Sequence, residues 1–156
     1  MAARGDVVVT ADEGGAATVW DAKSLSATCT LPQQDDFCTS VALLPLFIIA
    51  GYASGIVRLF SVSEGLLLAE VAGHARCITA VDAHPAADVF SSVSEDGTLN
   101  VWSVSGTADS CSKVGLVTTA SVTDHSLTGV QFLKSAPHHI ITSAYDVHNL
   151  RILLSV

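Results

Sequence analysis

The sequence predicts an all-β fold assembled from repeated four-stranded antiparallel sheets, and three observations carry that prediction. A turn glycine followed five residues later by an aromatic recurs in Gly15-Ala16-Ala17-Thr18-Val19-Trp20, Gly55-Ile56-Val57-Arg58-Leu59-Phe60 and Gly97-Thr98-Leu99-Asn100-Val101-Trp102. The aromatics lie 40 and 42 residues apart, a period that marks stacked supersecondary units. No stretch of ten or more residues carries a helical apolar period, whereas short apolar runs between turn residues recur throughout. Hydrophobic residues make up 49% and charged residues 14%, enough apolar surface for a packed core.

The first unit reads as a strand over Val7 to Thr10, a turn over Asp12-Glu13-Gly14-Gly15, and a strand ending at Trp20-Asp21. By the phase of the repeat it opens on a second strand, with no room for an inner strand before it. The apolar run Val41 to Ala50 is too short to span a bilayer and contains Pro45, so it reads as two strands and a tight turn. The third unit is the clearest: Cys77 to Asp82, a turn at Pro85-Ala86-Ala87, Val89 to Val93, a hairpin turn at Glu95-Asp96-Gly97, Leu99 to Val104, then Val114 to Ala120. Pro45 and Pro85 each follow a valine by four residues, in a turn where the missing N–H is harmless. Pro137 is assigned to the same turn of the last unit.

Ser103 to Lys113 reads as a lengthened loop, more readily a tolerated insertion than a contact loop. The last copy ends at Asn149-Leu150-Arg151-Ile152-Leu153, with Leu153 in the aromatic slot after a gap of 51 residues. Fourteen strands result, grouped three, four, four and three, over approximately 6–31, 37–72, 76–121 and 127–156. Four short strands per forty residues is the signature of a propeller blade. The predicted fold is therefore a partial β-propeller of about four blades, two complete and two incomplete.

Seven basic residues against fifteen acidic ones leave a net charge of −8, and the basic residues are scattered from Arg4 to Arg151. Nucleic-acid binding and docking on an anionic membrane call for a basic patch, so both are disfavoured. Arg4, Asp6, Asp12 and Glu13 interrupt the N-terminal region, which does not read as a secretory signal. Cys29, Cys38, Cys77 and Cys111 form no CxxC pair; Cys38 and Cys77, 39 residues apart, read as buried free thiols at matching places, which points to a reducing cytoplasmic setting. Glycine-rich phosphate loops and calcium-loop spacing are absent, so no cofactor is expected. His138-His139 with Asp146 and His148 reads as a solvated, turn-located pair, because adjacent histidines on a strand would face opposite ways.

Trp20-Asp21 is a WD dipeptide and Gly73-His74 a GH dipeptide, and by these residues the chain resembles the WD-repeat (WD40-type) β-propeller family. The resemblance implies a blade-pinning tetrad of His, Ser or Thr, Asp and Trp, which the third repeat supplies as His74, Ser92, Asp96 and Trp102. The first copy keeps Thr10 and Trp20 but has Gly14 in the aspartate slot; the second has Ala50, Ser54 and Phe60, and the fourth ends in Leu153-Leu154. These copies are expected to rely on apolar packing. In the family the last blade of a closed ring ends on its third strand, and a seven-blade ring would need about 290 residues. The resemblance thus implies the C-terminal half of a longer propeller.

Three functions compete. The leading one is a non-enzymatic scaffold that binds other proteins or peptides through its loops, with Tyr52, Arg76 and Tyr145 nominated as contact residues. The second is a half-ring that self-associates through open blade edges, or joins a missing N-terminal half. The third is a propeller hydrolase. Its inner strands offer Asp82 almost alone, and Ser54 in Gly51-Tyr52-Ala53-Ser54-Gly55 stands in the wrong place for a nucleophile elbow. Catalysis is the least favoured.

Overall fold

The computed structural model describes residues 1–12, 14–134, 136–149 and 151–154, and for residues 137, 138 and 151–154 the backbone alone. These residues form fifteen strands in four antiparallel sheets. The first sheet comprises β1 (Ala2–Arg4), β2 (Val7–Ala11), β3 (Ala17–Asp21) and β4 (Ser26–Thr30). The second comprises β5 (Cys38–Leu43), β6 (Phe47–Tyr52), β7 (Ile56–Ser61) and β8 (Leu67–Ala72). The third comprises β9 (Ile78–Ala83), β10 (Val89–Ser94), β11 (Thr98–Thr107) and β12 (Ser110–Ser121), and the fourth β13 (Leu127–Leu133), β14 (Ala136–Ala144) and β15 (Arg151–Leu154). Each sheet is a meander in chain order, and the inner strands β1, β5, β9 and β13 meet one another in sequence, so the sheets form an arc of blades.

Alternation puts successive side chains on opposite faces, and a sandwiched blade must be apolar on both. In β6, Ile48 and Ala50 face the first sheet, while Phe47 and Ile49 face the third. That is why Val41 to Ala50 reads as one apolar run. In the second and third sheets the aromatic of the repeat faces the preceding blade: Phe60 shares one core with Val9, Ala17 and Val19, and Trp102 another with Val57, Leu59 and Phe47.

The recurring glycine has an equally local cause. Gly15, Gly55 and Gly97 adopt φ of 78°, 85° and 78°, in the left-handed region that glycine tolerates best. Each also lies under the chain entering the next blade. A Cβ on Gly15 would stand 2.6 Å from the carbonyl oxygens of Gln34 and Asp36, and one on Gly97 2.9 Å from those of Val122 and His125.

Several expectations need correction. The first sheet has four strands, because Ala2–Arg4 pairs with Val7–Val9 through a turn at Gly5. Three residues suffice for an inner strand whose partner supplies the ladder, and two alanines give no strand signal. The grouping is four, four, four and three. The residues between Ser103 and Lys113 form no loop but lengthen the β11–β12 hairpin, which turns only between Thr107 and Ser110. Pro137 lies inside β14 rather than in a turn, and His138 and His139 lie on the same strand. Cys38 pairs with Tyr52, whereas Ile78, not Cys77, pairs with Ser94, so the two cysteines do not occupy equivalent positions. All four cysteines are free and half-buried rather than buried. Leu150, in the last copy, lies outside the described residues, as does the side chain of Leu153.

Candidate functional site

The third repeat brings His74, Ser92, Asp96 and Trp102 into one hydrogen-bonded cluster. The Trp102 indole Nε1–H donates to Ser92 Oγ at 2.9 Å, and His74 Nε2 lies 2.8 Å from the same oxygen. His74 Nδ1 faces the Asp96 carboxylate at 3.2 Å and the Thr98 hydroxyl at 3.0 Å. Asp96 also accepts from the amides of Ala75 and Thr98 and from the Thr98 hydroxyl at 2.6 Å. One proton order satisfies this chain: Trp102 donates to Ser92, Ser92 donates to Nε2, and a neutral His74 donates from Nδ1 toward Asp96. Burial holds the His74 pKa below its ordinary value, and the Asp96 carboxylate only partly opposes that. For Asp96 burial is the largest single influence and pushes upward. Bonds from the Thr98 hydroxyl and from the Ala75 and Thr98 amides outweigh it, leaving the carboxyl below its ordinary range.

The contact order Ser92–His74–Asp96 is that of a hydrolytic triad. Ser92 is fully buried, however, and already accepts from Trp102, so no substrate carbonyl reaches it. What the network does is pin β10, β11 and the incoming loop at Gly73-His74 to one another; Asn100 adds a bond from its amide to the Gly73 carbonyl at 2.8 Å.

The degenerate copies are not purely apolar. In the first sheet Trp20 Nε1–H donates to Thr10 Oγ1 at 2.9 Å. The second sheet builds a different clamp: the Ser54 hydroxyl donates to Asp36, and Arg58 Nε donates to Glu70 at 2.7 Å with its Nη1 4.0 Å from Asp36. The Arg58 guanidinium lies 4.4 Å above the Tyr52 ring. This network escapes the repeat pattern because Asp36 and Arg58 fall outside the tetrad slots.

A second device joins blade to blade. Thr39, Thr79 and Thr128 are each the extra residue of a bulge at the start of an inner strand, between Cys38 and Ser40, Ile78 and Ala80, and Leu127 and Gly129. The bulge aims the hydroxyl sideways. Thr39 Oγ1 donates toward the Ile78 carbonyl at 2.5 Å, and Thr79 Oγ1 toward the Leu127 carbonyl at 2.7 Å, each in the next sheet. The Val81 amide adds a bond to Ser40 Oγ at 3.1 Å. The sequence does carry the signal, a Thr-x-Val triplet at Thr39, Thr79 and Thr128, but only an interblade contact gives it meaning.

The nominated contact residues part company. Tyr52 is 2% exposed, packed in the core between the first two sheets under Arg58, and its phenol is pushed up to about 12 by burial; it is withdrawn as a contact residue. Arg76 and Tyr145 do stand in solvent and share one face. Arg76 lines a cleft of about 500 Å³ with Glu95, its ion-pair partner at 3.5 Å, and with Asp124, His125 and Ser126. The Tyr145 amide donates to the Ser126 carbonyl at 2.8 Å, and the side chain beyond it is 73% exposed. Phe37, in the loop before β5, is 62% exposed.

At the inner strands a cleft of about 600 Å³ is lined by Arg4, Asp82 and Lys134 among aliphatic residues. Its charges hold blades together. Arg4 donates to the carbonyls of Leu43, His84 and Pro85, at 2.8 Å for the last, and Asp82 accepts the Phe132 amide at 2.7 Å. Burial raises the Asp82 carboxyl, with the Phe132 amide opposing.

Comparison with known proteins places this architecture. The chain is similar to WD repeat-containing protein 54 of Homo sapiens (30% identity over 151 residues, 96% of this chain) and of Mus musculus (29% over 142 residues, 90% of this chain). It spans 45% and 42% of the lengths of those relatives. Among solved structures, the crystal structure of the computationally designed Ika4 protein superposes with a TM-score of 0.80 at 20% identity, over 99% of this chain and 89% of that one, a likeness of fold alone. The family model for WDR54 matches residues 3–156, and with the blade arc and the tetrad in place the chain belongs to the WDR54 family of WD-repeat proteins.

Proposed function

We propose that this chain is a non-enzymatic protein-interaction scaffold, part of a longer propeller, that works in a reducing cytoplasmic setting. The observation that carries the reading is the loop face. Phe37, Arg76 and Tyr145 are exposed there, Phe37 next to Asp36 of the second sheet's clamp and Arg76 two residues after His74 of the tetrad. Aromatic and arginine side chains on a rigid base are the usual anchors of protein interfaces, because little side-chain freedom is lost on binding. Membership of a WD-repeat family supports the same reading. Four free thiols, all with pKa values raised chiefly by burial, favour a reducing compartment.

The test is quantitative capture from a cell lysate by the parent chain and by a Phe37→Ala, Arg76→Ala, Tyr145→Ala triple variant of unchanged melting temperature. The reading expects at least one captured protein to fall by about tenfold or more. Retention of every captured protein at parental level would refute it.

A further inference from the structure

The longest strand among the described residues is also the least defended sheet edge, and we propose that an extended segment of a partner protein adds to it as a fifth strand. β12 ends the third sheet, and its outer row of N–H and C=O groups faces no strand among the described residues. Natural edges are blunted by shortness, charge or proline, because unpaired backbone templates pairing. The outer strands of the first two sheets follow that rule. β4 has five residues and meets Pro32 just beyond its end; β8 has six and carries Glu70. β12 has twelve, with neither a charge nor a proline from Val114 to Thr123. All three outer strands carry a bulge beside the aromatic slot, at Thr28, Leu68 and Val117, so the bulge does not set β12 apart.

This edge is both open and held still. Leu116, Val117, Thr118 and Thr119 are exposed, the first two at 55% and 50%. Thr119 Oγ1 donates to Asn100 Oδ1 at 2.8 Å, and Asn100 in turn holds the Gly73 carbonyl. Earlier on the strand, Cys111 and Val114 pack on the core shared by the second and third sheets. A rigid edge loses little freedom when a strand is added, and backbone hydrogen bonds supply the attraction. The third sheet stands between the second and the fourth, with β9 toward its neighbours' inner strands and β12 on the outer rim. Further blades stack on the faces at the ends of the arc, not on this edge.

Charge selects the partner. Exposed Lys113 stands just before the uncharged run and exposed Asp124 just after it. Antiparallel pairing is the more stable arrangement per residue, and it sets the partner's first residues beside Asp124 and its last beside Lys113. The fitting segment is extended and β-branched, about eight residues long, with a basic residue at its N-terminal end and an acidic one at its C-terminal end. A second copy of β12 has such ends, but it brings a further −8 of charge with it, and that repulsion favours a separate segment.

NMR titration of the isotope-labelled 156-residue chain with the capped peptide Lys-Thr-Val-Thr-Val-Thr-Val-Glu tests this. Amide shifts confined to β12 and its partner β11 are expected, with a dissociation constant of about 100 μM. N-methylating the peptide at every second residue separates backbone pairing from side-chain contact. One alternating set faces β12, and its methylation weakens binding by about tenfold or more; methylating the solvent-facing set changes binding by less than about threefold. Lys113→Glu, on the surface, weakens binding by about threefold, and a peptide ending in Lys instead of Glu recovers it. Absence of any shift at about 1 mM peptide would overturn the proposal. So would shifts at Phe37, Arg76 and Tyr145 instead, equal effects of the two methylated sets, an unchanged Lys113→Glu chain, or a parent that dimerises through β12 without peptide. The proposal goes beyond the loop-face reading, which the triple variant tests separately.

Discussion

Ser91 and Ser92 are adjacent, both fully buried, and differ sharply in what removing the hydroxyl should cost. Ser91 Oγ makes one long contact, 3.5 Å from the Asp82 carbonyl. Ser92 Oγ is the hinge of the tetrad, within 2.9 Å of both the Trp102 indole nitrogen and His74 Nε2. Ser92→Ala strands a buried N–H donor and a buried ring-nitrogen acceptor at once, each costing about 1–3 kcal/mol. The two losses share one site and are not fully additive, so about 2–4 kcal/mol is expected. For a chain of this size that is a fall of roughly 6–12 °C in melting temperature. Ser91→Ala should cost less than about 1 kcal/mol. The assay is urea unfolding followed by tryptophan fluorescence in a Trp20→Phe background, which leaves Trp102 as the reporter. Equal destabilisation by the two substitutions, or a Ser92→Ala chain within about 0.5 kcal/mol of parent, would show that the tetrad is not the pin described here.

Three further outcomes follow from the same geometry. The folded His74 pKa lies below the unfolded 6.5, so its stabilising contribution is whole above that pH and is lost as pH falls through the folded value. Asp96, also depressed, loses its share as pH falls below 3.8. Urea midpoints should drop from pH 8 to pH 5 in the parent and flatten in His74→Gln; parallel profiles would remove His74 from the account. Thr79→Val keeps shape but deletes the bond to the next sheet at Leu127, and equilibrium unfolding should register about 1–1.5 kcal/mol, with no loss counting against the bulge as an interblade tie. Gly97→Ala forces a Cβ toward the Val122 and His125 carbonyls at positive φ and should cost about 1–3 kcal/mol by calorimetry; a neutral result would mean the turn relaxes freely.

Much of the blade was legible because its rules are local. A glycine needed at positive φ, an aromatic five residues on and a serine facing it across the hairpin lie within a few residues of one another, so the tetrad from His74 to Trp102 could be read from spacing and family resemblance. Tyr52 could not be placed in the same way. Its exposure depends on whether the first sheet covers it and whether Arg58 lies over its ring. Neither is visible in a window of neighbouring residues. The inner strand β1 was missed for a related reason: Ala2–Arg4 has little strand preference of its own and is extended because β2 offers a ladder.

The repeat, the strand class, the aromatic slot and one complete clamp are encoded in backbone preference and side-chain alternation over short range, and so are written in the order of residues alone. Packing between blades sets which copies of a repeated residue are sealed and which are not. Trp20 and Trp102 occupy the same slot in the same motif, yet one is half-buried and the other buried, because among the described residues only the second has a blade packed against its face. Burial belongs to the pair of surfaces that meet, and a single repeat specifies only one of them.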